Sequence, residues 1–270
     1  MHKIFYAIYL IRKDGLKQFF QRLFDKIMGR SCFTLWSGFS EFVCYFEGKK
    51  GLEIGGPSAF FNSNGCMPIY PLVSVLDGVN YSDKTVWTGS LNQRRGFWVN
   101  DKRAGELYIL DAVNLSALSQ ASYDFILSCN NIEHIANPLR AIESWLKVLR
   151  ENGVIVLVAP RRESNFDHRR EIVDFKHLHA DFVNNISEDD TTHIEEILQL
   201  HDLSRDFPAG NFKQFKKRCL ENFENRCLHH HVFDLAVLLE ICHFFKLEPI
   251  GSFQIPTDYV VIAKKRVLEG

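Results

Sequence analysis

YDFILSCNNIEHIANPLRAIESWLKVLRENGVIVLVAP, residues 123–160 of a 270-residue chain, decides the fold class. Phe125 to Leu127 form a short apolar run, and polar Ser128, Asn130 and Asn131 follow at its carboxyl end. Pro138 suits a first helical turn, which has no use for the N–H that proline lacks. Leu139, Ile142, Leu146 and Leu149, joined by Trp145, recur at helical spacing. Asn152-Gly153 should end that helix, because glycine accepts the left-handed conformation of a helix stop. Val154 to Val158 is a continuous β-branched and aliphatic run, as in a parallel strand covered on both faces. The stretch therefore reads as one strand–helix–strand crossover. Its first loop then lies at the carboxyl edge of a parallel sheet, where open α/β folds bind ligands.

Further strands can be read on both sides of this unit. Gly51 to Ile54 forms a first strand that runs into Gly55-Gly56-Pro57-Ser58. Leu72 to Leu76 reads as a second, ending at Asp77-Gly78, and Leu107 to Leu110 as a third, ending at Asp111-Ala112. Phe125 to Ser128 and Val154 to Ala159 are the fourth and fifth. A helical pattern over Val232 to Phe245 leads into Leu247 to Phe253 and Tyr259 to Ala263, which read as a closing hairpin. Residues 161–230 are rich in charge and histidine and show no strand pattern. They read as a helical insertion over the carboxyl edge of the sheet, since so long a segment between strands is commonly a functional cap.

Composition narrows the class. Lys plus Arg (32) nearly balances Asp plus Glu (33), and no basic tail exists, so nothing calls for nucleic acid. The seven cysteines are odd in number, scattered and without a C-x-x-C pair, which points away from a disulfide framework and toward a cytoplasmic protein. The apolar start of MHKIFYAIYLIRK falls far short of the roughly 20 residues that span a bilayer and lacks a small-residue cleavage site. Leu16, Phe19, Phe20, Leu23, Phe24 and Ile27 share one helical face within a basic segment. This helix is expected to cover the core or a partner subunit. A peripheral membrane contact through residues 1–30 is the alternative.

Four polar strand ends make a candidate nucleotide crevice. Gly55 and Gly56 let the backbone approach a ligand closely, and the start of a following helix would offer free N–H groups. The loop is not G-x-G-x-x-G, since Pro57 and Ala59 stand where further glycines would be. Asp77 falls where a dinucleotide-type fold places an acid on ribose hydroxyls. Asp111 can accept from an exocyclic adenine amine, with the Ala112 N–H facing a ring nitrogen. Asn130 and Asn131 line the same crevice. Each alone is a common helix cap or turn residue. Four in succession at four strand ends are harder to explain that way.

With Glu53-x-Gly55, Asp77, Asp111-Ala112 and SCNNIEHIANPLRAIESWLKVLRENGVIVLVAP in that order, the chain resembles class I S-adenosylmethionine-dependent methyltransferases of the small-molecule, type 11-like kind. The resemblance covers roughly residues 48–160 and 231–266. It implies an α/β, Rossmann-like seven-stranded sheet with the last strand antiparallel, and S-adenosyl-L-methionine as cofactor. It places Glu53 near the methionine part, the loop Gly55, Gly56, Pro57 and Ser58 beneath it, Asp77 on the ribose and Asp111 on the adenine. The whole reads as a single domain, 1–270. Residues 1–47 form an N-terminal helical segment, 48–160 and 231–266 the cofactor core, and 161–230 the cap.

Methyl transfer is an in-line displacement in which the protein supplies position and exclusion of water. An oxygen nucleophile benefits from a base, and histidine is the default near neutrality. His168, following Asp167, is the first candidate, with His230 and His231 of the 229–231 run as the others. Asp189, Asp190, His193 and His231 offer metal-type ligands, but no diagnostic spacing such as H-E-x-x-H occurs and no metal is assigned. Arg161, Arg162, Arg169 and Arg170 could hold an anionic substrate group. A small polar acceptor, such as a saccharide or glycan, suits this cap better than a flat aromatic one. Two other readings remain: a noncatalytic module that keeps the cofactor fold for assembly, and a nicotinamide-dependent oxidoreductase, which the missing fingerprint disfavours.

Overall fold

Aliphatic runs bounded by polar strand ends build one sheet of seven strands. A computed structural model describes residues 35–85, 89–90 and 95–266, so the amphipathic segment 16–27 lies outside the described residues. The strands are β1 (Lys50–Ile54), β2 (Val75–Asn80), β3 (Leu107–Ile109), β4 (Tyr123–Cys129), β5 (Leu149–Pro160), β6 (Glu248–Gln254) and β7 (Asp258–Lys264). Their order is β6-β7-β5-β4-β1-β2-β3. The pairs among β1 to β5 are parallel, and β7 runs antiparallel to both β5 and β6. β1 thus has β2 on one side and β4 on the other. This reversal of strand order opens a crevice at the carboxyl ends, as in other doubly wound sheets.

α1 (Pro138–Val148) starts where the sequence places it: Pro138 opens the first turn, and the Asn137 side chain accepts the Arg140 N–H at 3.1 Å. Its buried face of Leu139, Ile142, Trp145 and Val148 packs on the sheet. The helix stops at Val148, earlier than Asn152-Gly153, because Leu149 already pairs with Tyr123 as a strand residue. Asn152 takes the left-handed conformation (φ 61°). Gly153 serves packing instead, since a Cβ there would lie 2.8 Å from the Asp124 carbonyl oxygen.

Three other sequence expectations change. The second strand runs from Val75 to Asn80, so Asp77 is an interior residue of it and not its end. No α-helix follows the glycine loop; only a 3-10 turn over Ala59–Phe61 forms, in a segment broken by Gly65, Pro68 and Pro71. Where no strand was expected, Lys84–Thr85 pairs antiparallel with Gly89–Ser90, and Phe97–Val99 with Lys102–Gly105.

Between β5 and β6 the chain forms α2 (Phe175–Val183), α3 (Ile194–Leu200), α4 (Phe212–Leu220) and α5 (Leu235–Phe244). α5 begins later than Val232, because residues 229–234 are not helical and Asp234 caps it by accepting the Val237 N–H at 2.9 Å. Alternate strand residues feed two cores. Leu52, Ile126, Ile155 and Val261 meet α1 and α5 on one face. Phe125, Leu127, Val156 and Ile262 meet Phe39, Phe42, Phe46, Phe60 and Phe61 on the other. A third cluster, with Ile194, Ile197, Phe215 and Cys219, holds α3 and α4 together. Among the described residues no helix is long and apolar enough to cross a membrane.

Candidate functional site

The crevice at the carboxyl edge is a cavity of about 480 Å³, within the roughly 300–1,000 Å³ usual for small-molecule sites. Strand order arranges its walls. Leu110, Asp111 and Ala112 follow β3, Asn80 and Tyr81 end β2, and Ile54, Gly55, Pro57 and Ser58 end β1. Cys129 ends β4 and Asn130, Asn131, Glu133 and His134 follow it, while Pro160 ends β5 and Asn165 and Phe166 follow. Glu188, Arg226 and His229 close it from beyond β5.

The β1 loop is tied from below. Glu53 is fully buried, and its carboxyl accepts the Tyr70 hydroxyl at 2.8 and 3.0 Å and the Ser58 N–H at 3.0 Å. Burial pushes Glu53 up to about 7, against the lowering effect of those hydrogen bonds. A Cβ at Gly56 would lie 2.1 Å from the Glu53 carboxyl carbon, so only glycine lets the loop rest on that carboxyl. Gly55 has φ 80°, and a Cβ there would come within 2.5 Å of Asn131 Oδ1. Glu53 and Gly56 thus support the cavity from beneath, whereas Gly55, Pro57 and Ser58 face it.

Asp77 is not in the cavity wall. It is buried inside β2, where it accepts the Tyr123 hydroxyl at 2.9 Å and the Glu106 N–H at 2.8 Å and pairs with Lys50 at 3.3 Å. The strand runs three residues past it, so Asn80 and the following Tyr81 reach the cavity instead. Asn80 donates to the Gly56 carbonyl at 3.0 Å, joining the ends of β1 and β2. Asp111 does line the cavity. It accepts the Val113 N–H at 3.1 Å and pairs with Arg226 at 3.2 Å. Trp145 donates to the Ala112 carbonyl at 2.8 Å and so fixes that loop from α1.

Asn130 and Asn131 both face the cavity, and Asn130 takes a left-handed φ of 47°. Buried Asn131 Nδ2 and Glu133 Oε2 have no hydrogen-bond partner within the protein, an uncommon state for buried polar atoms. Burial also pushes Glu133 up to about 7.

The histidines are arranged differently from the sequence expectation. His168 does not line the cavity and pairs with Asp202 at 2.9 Å. His230 is buried against Asn222 (3.1 Å) and Glu188 (3.6 Å), and His231 against Asp181 (3.1 Å); neither lines the cavity. Burial pushes His231 down to about 4. His229 is the member of the run that lines the cavity. Its Nδ1 lies 2.5 Å from Asp167 Oδ2, and its ring meets His134 edge-on at 4.5 Å. Burial alone would lower the His229 pKa, but the Asp167 carboxylate reverses this and raises it. Burial likewise opposes ionisation of Asp167, yet His229 and Arg170 hold it down at about 2.

Arg170 is fully enclosed and does not reach the cavity as a substrate group. It donates to Asp167 (3.1 Å), Glu196 (3.1 Å) and the carbonyls of His229 (2.8 Å) and His230 (3.1 Å). Sequence reasoning missed Arg226 and Glu188, which pair at 3.1 Å over the cavity, and Phe166, whose ring lies 4.7 Å from that of His229. Nothing in their local pattern distinguishes them. Only the folding of residues 161–230 over the sheet brings them to the site.

A family profile described as "Methyltransferase domain" matches residues 41–215, more than half of the chain. The carbon methyltransferase of CurJ is 12% identical with a TM-score of 0.46, covering 82% of this chain and 50% of that one. A SAM-dependent methyltransferase of Methanosarcina mazei is 15% identical with a TM-score of 0.44, covering 86% and 99%. The N-methyltransferase NodS of Bradyrhizobium japonicum, solved with S-adenosyl-L-homocysteine, is 10% identical with a TM-score of 0.46, covering 84% and 85%. No curated protein matches the chain.

Proposed function

Because the chain belongs to the S-adenosylmethionine-dependent methyltransferases, we propose that it methylates a small polar, saccharide-like acceptor seated beneath residues 161–230. One observation carries the choice of acceptor. The part of the cavity beyond β4 is walled by Glu133, His134, Asn165, Glu188, Arg226 and His229, with Ile135, Pro160 and Phe166 as the apolar residues among them. Such a wall offers directional donors and acceptors to hydroxyl groups and little flat apolar surface to an aromatic acceptor.

The residues present fit the cofactor. The glycine cradle at Gly55 and the unpartnered Asn131 amide give a polar tail a close approach and a donor. We assign the methionine part to Gly55, Pro57, Ser58, Asn130 and Asn131, with Glu53 and Gly56 shaping the loop beneath. Asn80 and Tyr81 take the ribose, and Asp111 with Ala112 the adenine. Bound S-adenosylmethionine supplies an electrophilic methyl group on sulfur. The chain's own residues then hold the acceptor in line, exclude water and accept a proton.

His229 is the proposed base. Asp167 holds its Nδ1 and leaves Nε2 for the acceptor, the orienter–base geometry used to activate weak nucleophiles. Glu133 and His134 bind acceptor hydroxyls beside it. Residues 48–160 and 231–266 form the cofactor core and 161–230 the acceptor cap of one domain.

The test is transfer of label from S-adenosylmethionine to pooled acceptors: sugars and nucleotide sugars, phenolic aromatics, and RNA. Label in the saccharide pool, with His229→Gln losing turnover but keeping S-adenosylhomocysteine binding, is the expected result. Label confined to the aromatic or RNA pool would overturn the acceptor assignment.

A further inference from the structure

A second histidine cluster takes no part in the transfer site. His177 and Asp181 stand one turn apart on the same face of α2. His193 immediately precedes α3, and His231 lies in the non-helical segment before α5. Three imidazoles turn the same atom, Nε2, toward one point. His177 Nε2 lies 3.2 Å from His193 Nε2 and 3.3 Å from Asp181 Oδ2, and His231 Nε2 lies 3.1 Å from the same Asp181 oxygen. The ligand atoms of the three histidines all fall within 4.8 Å of one another.

Protons satisfy this arrangement poorly. A protonated His177 Nε2 can be directed at His193 or at Asp181, but not well at both. An unprotonated one sets a lone pair against the carboxylate. A cation at the centre satisfies all four groups together. Zinc–nitrogen and zinc–oxygen bonds of roughly 2.0–2.1 Å at tetrahedral angles put ligand atoms about 3.3 Å apart, and the three shortest separations here match that edge.

We propose that His177, Asp181, His193 and His231 form a tetrahedral site for a divalent transition metal, zinc by ligand chemistry. Imidazole nitrogens and a carboxylate oxygen suit zinc, and four protein ligands make a closed, structural site. Glu196 Oε2 lies 3.9 Å from His193 Nδ1, on the side away from the cluster, as outer partners of metal-bound histidine do. The half-exposed His177 leaves an entry path. The ion ties α2 and the start of α3 to the segment that carries His229 into the cavity. Of the metal-type ligands that the sequence offered, His193 and His231 belong to the site. Asp189 and Asp190 do not, since they hydrogen-bond the hydroxyls of Ser187 and Thr192 within their own turn.

The experiment is elemental analysis of the untagged full-length protein, produced with added zinc and dialysed. About one zinc per chain is expected, with loss to background in His177→Ala and in His193→Ala. Both variants should still bind S-adenosylhomocysteine, which shows that they are folded. Chelation should lower the Tm of the wild type and leave that of His177→Ala unchanged. Glu133, His134 and His229 also lie within reach of a common ion, so His134→Ala is the control and should keep its zinc. A metal-free wild type overturns the proposal. So does zinc that survives in both His177→Ala and His193→Ala, or that is lost only in His134→Ala.

Discussion

Replacing Glu53 by glutamine should change how stability depends on pH, by an amount that the structure sets. Glu53 is fully buried and its pKa rises from 4.5 to about 7. The folded protein therefore binds this proton more tightly than the unfolded chain. The stabilisation from the protonated form is complete below pH 4.5 and is lost as pH rises to about 7. At about 1.36 kcal/mol per pKa unit, the loss is on the order of 3 kcal/mol. Glutamine keeps the size and one acceptor oxygen for Tyr70 and Ser58 but has no proton to lose. Its missing second acceptor costs a constant that does not vary with pH. Urea unfolding of both proteins between about pH 4 and pH 8 isolates the effect, because every other titrating group cancels in the difference. The variant should gain about 3 kcal/mol on the wild type across that range. A difference that stays flat with pH would refute the reasoning and mean that Glu53 titrates alike in the folded and unfolded chain.

Three further outcomes follow from the same geometry. Asp167→Ala leaves enclosed Arg170 and His229 without their shared carboxylate; denaturant unfolding should show a loss of about 3–5 kcal/mol. Gly55→Ala places a Cβ at φ 80° and 2.5 Å from Asn131; it should cost about 1–2 kcal/mol of stability and weaken S-adenosylhomocysteine binding by calorimetry. Asp77→Ala should destabilise by about 1–3 kcal/mol for each stranded donor while leaving that affinity intact, whereas Asn80→Ala should weaken affinity.

The strand–helix–strand unit at 123–160 was legible because each element there carries its own local signal: an apolar run, Pro138 at a first turn, a helical stripe. Boundaries were less so. Leu149 satisfies a helical spacing and a strand position equally, and pairing with Tyr123 decided for the strand. Asp77 was misplaced for a related reason: polar residues after an apolar run mimic a strand end, but Tyr123, Lys50 and the Glu106 N–H satisfy this carboxylate inside the sheet. Asp111, Asn130 and Asn131 were legible as cavity residues because they follow strands directly. The cap was not. Whether His229 or His230 faces inward depends on the course of residues 229–234, and Arg226 and Glu188 meet only through long-range folding.

In the proposed assignment, S-adenosylmethionine lies along the carboxyl edge of β1 to β4 with Asp111 at the adenine. Calorimetric titration of the full-length protein with S-adenosylhomocysteine, alongside Asp111→Ala, tests it most directly. One-to-one binding near micromolar, about −8 kcal/mol, is expected, weakened about tenfold or more by the substitution, a cost of about 1.4 kcal/mol. No binding at millimolar ligand, or equal affinity in the two proteins, would contradict it.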